Sequence, residues 1–176
     1  MNPETIDEIM KNTQIDETKL PEVMALMDEA ATLMEENGDF LTDEEVKKEL
    51  DSLQAKLQNI LEKDFDIVEV NGYWSYTDLE TIARKALMNK PQKYDLTDDA
   101  LRELIIKILA SGELETEATM DYWFEFLDVE TGIEDAADCL FCENDKGDIE
   151  FAPIDTIMKQ LAIAKKEQPE PKVILL

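Results

Sequence analysis

Residues 42–61 read TDEEVKKELDSLQAKLQNIL, and their spacing decides the fold class. Val46, Leu50, Leu53, Leu57 and the pair Ile60/Leu61 recur at steps of four, three, four and three, which lays one apolar seam along a helix. Thr42-Asp43-Glu44-Glu45 opens it as a capping box, Thr42 accepting from the Glu45 backbone N–H while the Glu45 side chain returns to Thr42. Upstream, Val23, Met24, Met27, Ala30, Ala31 and Met34 form a second stripe widened by Leu26 and Leu33, starting near Pro21 and closed by Asn37-Gly38. The short link between the two predicts an antiparallel helical hairpin. Ahead of it, Asn2-Pro3-Glu4 caps a short helix carrying Ile6, Ile9 and Met10.

Downstream the signals stay helical. Thr77-Asp78-Leu79-Glu80 is another capping box, opening a helix with Leu79, Ile82, Ala83, Ala86 and Leu87 inward, which ends before Pro91. Leu96-Thr97-Asp98 starts a helix with Leu101, Leu104, Ile105, Ile108 and Leu109 on its core face. A helix over about Glu113–Asp128 follows, with Met120, Trp123, Phe124 and Leu127 turned inward. Thr131-Gly132-Ile133-Glu134 caps a short one carrying Ala136, Ala137 and Leu140, and Pro153 starts the last, with Ile154, Ile157, Met158 and Leu161. Residues 66–76, DIVEVNGYWSY, hold an Asn-Gly hairpin signal on short flanks and stay open between strand and loop. The expected fold is mainly all-α: one acidic domain over 1–176, a bundle of about seven helices, with room for two or three short strands at Ile67–Val70, Asp148–Phe151 and Val173–Leu176. Within it, 1–64 holds the first helices and their hairpin, 65–168 a helical core, and 169–176 an extended tail whose two prolines exclude a helix.

Composition narrows the chemistry. There are 43 Asp and Glu against 17 Lys and Arg, a formal charge of −26, with no histidine and two cysteines. Leu, Ile, Val and Phe make up 47 of the 176 residues, enough to bury a core despite that charge. Without histidine, Ser-His-Asp and Cys-His catalysis and histidine-ligated metals are excluded. Glycines are scattered singly rather than in a phosphate loop, the three serines fit no nucleophile elbow, and no carboxylate pair stands out among 43. The expectation is therefore no catalytic residues, no cofactor and no metal. The polar, acidic first 20 residues lack a secretory pattern, no stretch is apolar enough to span a bilayer, and the cysteine usage fits a reducing cytoplasm. A charge of −26 disfavours direct binding to nucleic acid or a membrane surface and favours a basic protein partner.

The charge is uneven: residues 113–155 hold 15 acids and the single base Lys146. Within them Glu113, Glu117, Asp121, Glu125 and Asp128 follow helical steps of four, four, four and three. Such a stripe costs a few tenths of a kcal/mol per like-charged pair, so it reads either as a docking face for a basic partner or as one more solvated face of an acidic protein. A metal on one stripe lacks the oxygen cage that hard cations need. Cys142–Ile149 superficially resembles a calcium loop, but Cys142, Lys146 and Pro153 fall where ligands are required, so a polar turn is expected. Cys139-Leu-Phe-Cys142 lacks the strand–helix setting of a redox motif, and its acidic neighbours would raise a thiol pKa. Tyr73, Trp74 and Tyr76 form a cluster that either anchors a partner or plugs one end of the helices, and the methionines of residues 24–34 read as core.

Three functions follow. The first is a non-enzymatic acidic protein that neutralises a basic macromolecule, in the manner of immunity proteins or nucleic-acid mimics. The second is a helical adaptor using an apolar groove or self-associating as a homodimer. The third, a carboxylate enzyme or cation-dependent protein, has the least support.

Overall fold

The computed structural model describes residues 3–38 and 40–167. It is mainly α-helical, with seven α-helices and one two-stranded antiparallel sheet among the described residues. The chain divides into two compact units, one running from Asn12 to Asn89 and the other joining the first helix to the elements that follow Lys90.

In the Asn12–Asn89 unit, α2 (Leu20–Glu36) packs on α3 (Glu44–Leu61) and α4 (Leu79–Leu87). The predicted seam holds: Val46, Leu50, Leu53, Leu57 and Leu61 are buried, against Val23, Met27, Ala30, Ala31 and Met34 of α2. Burial of a Leu or Met side chain contributes about 1.5–3 kcal/mol, so this stripe is what ties the helices together. The caps sit one residue later than the capping boxes predict. Asp43, not Thr42, is the N-cap of α3, accepting from the N–H groups of Glu45 and Val46, and Asp78, not Thr77, accepts from Thr81 N–H at α4. A carboxylate so placed meets the positive end of the helix dipole as well as its orphan donors, an advantage the hydroxyl lacks. Nor does a left-handed Gly38 close α2: the Asn37 side chain donates to the Leu33 carbonyl (2.8 Å), and Gly38 has an ordinary φ.

The open segment resolves into 3₁₀ turns at Ile67–Val70 and Tyr73–Ser75, not a β-hairpin. Side chains of α3 decide it. Gln54 accepts from Ile67 N–H (3.2 Å) and Gln58 donates to the Phe65 carbonyl (3.1 Å), while Asp66 caps the first turn. Gly72, at φ +67°, swings the chain into the second turn. Lys19 reaches the end of α3, donating to the Ile60 carbonyl (3.0 Å).

In the other unit, α1 (Pro3–Met10) packs on α5 (Asp98–Ala110), burying Ile6 and Ile9 and pairing Asp7 with Lys107 (2.6 Å). That ammonium holds the Asp7 carboxyl below its ordinary pKa, chiefly through their hydrogen bond. Thr97 caps α5 as predicted. α7 (Ile154–Glu167) packs on α5, with Ile157 and Leu161 in the core. The strand expected at 148–151 is β2 (Ile149–Phe151), paired with β1 (Phe141–Glu143) in the register Phe141↔Phe151, Cys142↔Glu150, Glu143↔Ile149. The extended tail expected over 169–176, with its strand at Val173–Leu176, and the cap at Asn2 lie outside the described residues.

Candidate functional site

The acidic segment is built around α6 (Glu117–Thr131), which starts four residues later than the sequence suggests. Thr116 is its N-cap, accepting from Thr119 N–H. Glu113 is consequently not on the helix. It lies in the preceding turn, where its carboxylate accepts the indole N–H of fully buried Trp123 (3.0 Å). A buried indole must find an acceptor, so Glu113 belongs to the core's polar accounting.

The helix is also rolled relative to expectation. Ala118, Tyr122, Trp123, Phe126, Leu127 and Glu130 face the core, whereas Met120 and Phe124, both expected inward, are only half-buried. Glu130 explains part of the roll. Its carboxylate, 7% exposed, accepts from the backbone N–H groups of Tyr94 (2.6 Å) and Leu96, fixing the irregular approach to α5. These are charge-assisted bonds, roughly twice as strong as neutral ones. Nothing in the residue pattern marks Glu130 as different from its acidic neighbours, and sequence reasoning missed it.

At the other end, Gly132 takes the left-handed position (φ +70°) and its N–H bonds the Asp128 carbonyl (2.8 Å). The Asp128 carboxylate accepts from Ala136 N–H (2.8 Å) and Asp135 N–H (3.3 Å). It thereby holds the 3₁₀ turn Ala136–Leu140, which replaces the short helix expected after Thr131. Of the five stripe residues, two are thus committed to local structure. Glu117 and Glu125 are exposed and Asp121 is half-buried on α6, a helix with no Lys or Arg of its own.

Phe124, partly buried against the core, shares a face with Glu117 and Asp121. It follows Glu117 by seven residues and Asp121 by three, and precedes Asp128 by four, the spacings of one helix face. Its ring meets Phe141 edge to face (6.0 Å between centroids), and Phe141 stacks on Phe151 (5.2 Å). Residues directly opposite in an antiparallel ladder share a face, so Phe141, Phe151, Ile149 and Glu143 lie together, with Cys142 and Glu150 on the reverse. An aromatic row therefore runs from the acidic helix onto the hairpin.

The hairpin turn is the segment that resembled a calcium loop. Asn144 organises it, its side-chain oxygen accepting from Lys146 N–H (2.9 Å) and Asp148 N–H (3.0 Å), with Gly147 at φ +85°. Among the described residues no group of three or more acid or cysteine side chains is placed to hold a metal ion. Cys139 lies in the 3₁₀ turn and Cys142 in β1, both free thiols. Burial, with Asp138 second, raises the Cys139 pKa, so it holds less thiolate near neutral pH than an ordinary cysteine.

The aromatic cluster belongs to the other unit. Tyr73 packs against its core and its hydroxyl donates to Asp28 (3.4 Å); burial, then Asp28, raises its pKa. Trp74 is half-exposed, and Tyr76 more so, its hydroxyl donating to the Glu69 carbonyl (2.9 Å). No helix among the described residues is long and apolar enough to cross a membrane. No family model, curated protein or solved structure matches the chain.

Proposed function

We propose that this is a non-enzymatic acidic binding protein that captures and masks a basic protein partner through the outer face of α6. The observation that carries the reading is the join of charge to apolar surface: Glu117 and Asp121 share a helix face with Phe124, which is partly buried against the core and leads through Phe141 to the exposed Phe151. Carboxylates around an apolar ledge suit a basic partner twice. The charge speeds encounter and sets the salt dependence, while the aromatic row supplies area that can be desolvated. The field of the whole chain, −26, acts in the same direction. We further propose a cytoplasmic setting, in which Cys139 and Cys142 stay reduced.

The test is affinity capture from the source cell with mass spectrometry at ~50 and ~500 mM salt, conditions that separate screened from unscreened contacts. A basic protein retained at the lower salt by the native chain, and lost to the triple variant Glu117→Lys, Asp121→Lys, Glu125→Lys, is the expected result. Equal retention by both chains would refute the reading.

A second reading, the helical adaptor, is favoured by one separate observation: Val68, Trp74 and Tyr76 are exposed on the 3₁₀ segment of the Asn12–Asn89 unit. It requires a salt-insensitive partner, or a homodimer, that is lost on Trp74→Ala.

A further inference from the structure

The hairpin offers more than side chains. Ala152 N–H bonds the Leu140 carbonyl (2.8 Å), and Asn144 N–H bonds the Asp148 carbonyl (2.9 Å). Backbone groups alternate along an antiparallel strand, so residues 148, 150 and 152 direct theirs at β1, while Ile149 and Phe151 direct their N–H and C=O groups away from it. β2 is the terminal strand of the sheet, and all three of its residues are exposed, Ile149 to 70% and Phe151 to 49%. Proteins usually blunt such an edge with short length, lysine, proline or a covering element, and β2 has three residues with Pro153 two beyond its end. Here the strand carries apolar residues at its outward-bonding positions, bordered by Glu143, Asp145, Asp148 and Glu150 against the single Lys146.

We propose that the β2 edge receives an extended, basic segment of the partner as a third strand. The added strand bonds the backbone of Ile149 and Phe151, sets apolar side chains beside them on the Phe141 face, and sets Lys or Arg beside Glu150 on the reverse. This rests on the acidic-capture reading and assigns the partner's bound conformation. Charge complementarity selects the occupant. A second copy of this chain docking antiparallel by the same edge would set Glu150 opposite Glu150 or Asp148 of that copy, and like charges opposed across strands are destabilising.

Two labelled nine-residue peptides of equal charge separate the contributions, one alternating Lys and Val, the other alternating Lys and Pro. Only the first has the backbone N–H groups to extend a sheet at its apolar positions. With the full chain at ~50 mM salt, the Lys-Val peptide is expected to bind about tenfold tighter than the Lys-Pro peptide, an energy of about 1.4 kcal/mol. Ile149→Pro removes one outward N–H while leaving the ladder to β1, and should bring the two affinities together; Ile149→Thr, which keeps the N–H, should preserve most of the difference. Because the proline could disturb the hairpin, amide exchange on the native chain supplies an independent readout: Ile149 and Phe151 N–H should gain protection with the Lys-Val peptide and not with the other. Equal affinities with no protection at these two amides, while the Glu117/Asp121/Glu125 reversal still weakens both peptides, would overturn strand addition and leave acidic capture standing. Binding of neither peptide would overturn both. Dimerisation of the chain alone through this edge, seen by light scattering and lost with Ile149→Pro, would overturn the assignment of a basic occupant.

Discussion

α3 and α6 are both exposed on one side and rich in carboxylates, yet they treat charge differently. On α3, Glu44, Glu45 and Asp51 each have Lys47 or Lys48 three or four residues away, so three of its four acids sit beside a base, Glu49 being the exception. On α6, Glu117, Asp121, Glu125 and Asp128 share the helix with no base at all, and an aromatic residue stands among them. α3 shows what a merely solvated acidic face looks like in this protein. α6 departs from that pattern, and carboxylates at and beside it also hold local structure: Glu113 in the preceding turn and Glu130 bond on its core side, and Asp128 closes its end. Acidity in one short segment thus divides between holding the fold and facing outward.

The comparison can be broken most forcefully at the core. Trp123→Ala should cost about 4 kcal/mol in denaturant unfolding, against under about 1 kcal/mol for the half-exposed Trp74→Ala. Similar losses would mean that α6 presents a different face. Next in size, Glu130→Ala leaves the N–H groups of Tyr94 and Leu96 without their acceptor and should cost about 3 kcal/mol. Removing an outer carboxylate by Glu125→Ala should change stability by less than about 0.5 kcal/mol. Equal effects would erase the division between structural and outward acids. The smallest effect has opposite signs on the two helices. Glu125→Lys puts a base between Asp121 and Asp128 and should stabilise by about 0.3 kcal/mol, whereas Asp51→Lys adds a third charge to Lys47 and Lys48 and should destabilise by a similar amount. Thermal unfolding at low salt reads both.

The two helices also differ in how far their roles are legible in sequence. α3 spaces its apolar residues by fours and threes, leaving one possible seam, and that seam is buried. In Tyr122-Trp123-Phe124-Glu125-Phe126 the aromatics point to nearly every side, so spacing leaves the roll of α6 open by about one residue. The roll is settled by long-range partners: the indole on Glu113, and the backbone of residues 94 and 96 on Glu130. The same holds for residues 66–76, where an Asn-Gly signal yields to glutamines of α3 that lie far away in sequence. Local patterns locate helices and their ends to within a few residues. Which carboxylate is buried depends on what the rest of the chain brings to it.

The most direct measurement compares two variants of identical net charge. One carries Glu117→Lys, Asp121→Lys and Glu125→Lys on α6; the other carries Glu29→Lys, Glu49→Lys and Asp51→Lys, three exposed acids on α2 and α3. Each binds the basic partner identified by capture, or the Lys-Val peptide, in a titration at ~50 mM salt. The α6 variant is expected to lose at least about tenfold in affinity while the α2/α3 variant stays within about twofold of the native chain. Equal losses in the two would show that total charge, not the face of α6, does the binding.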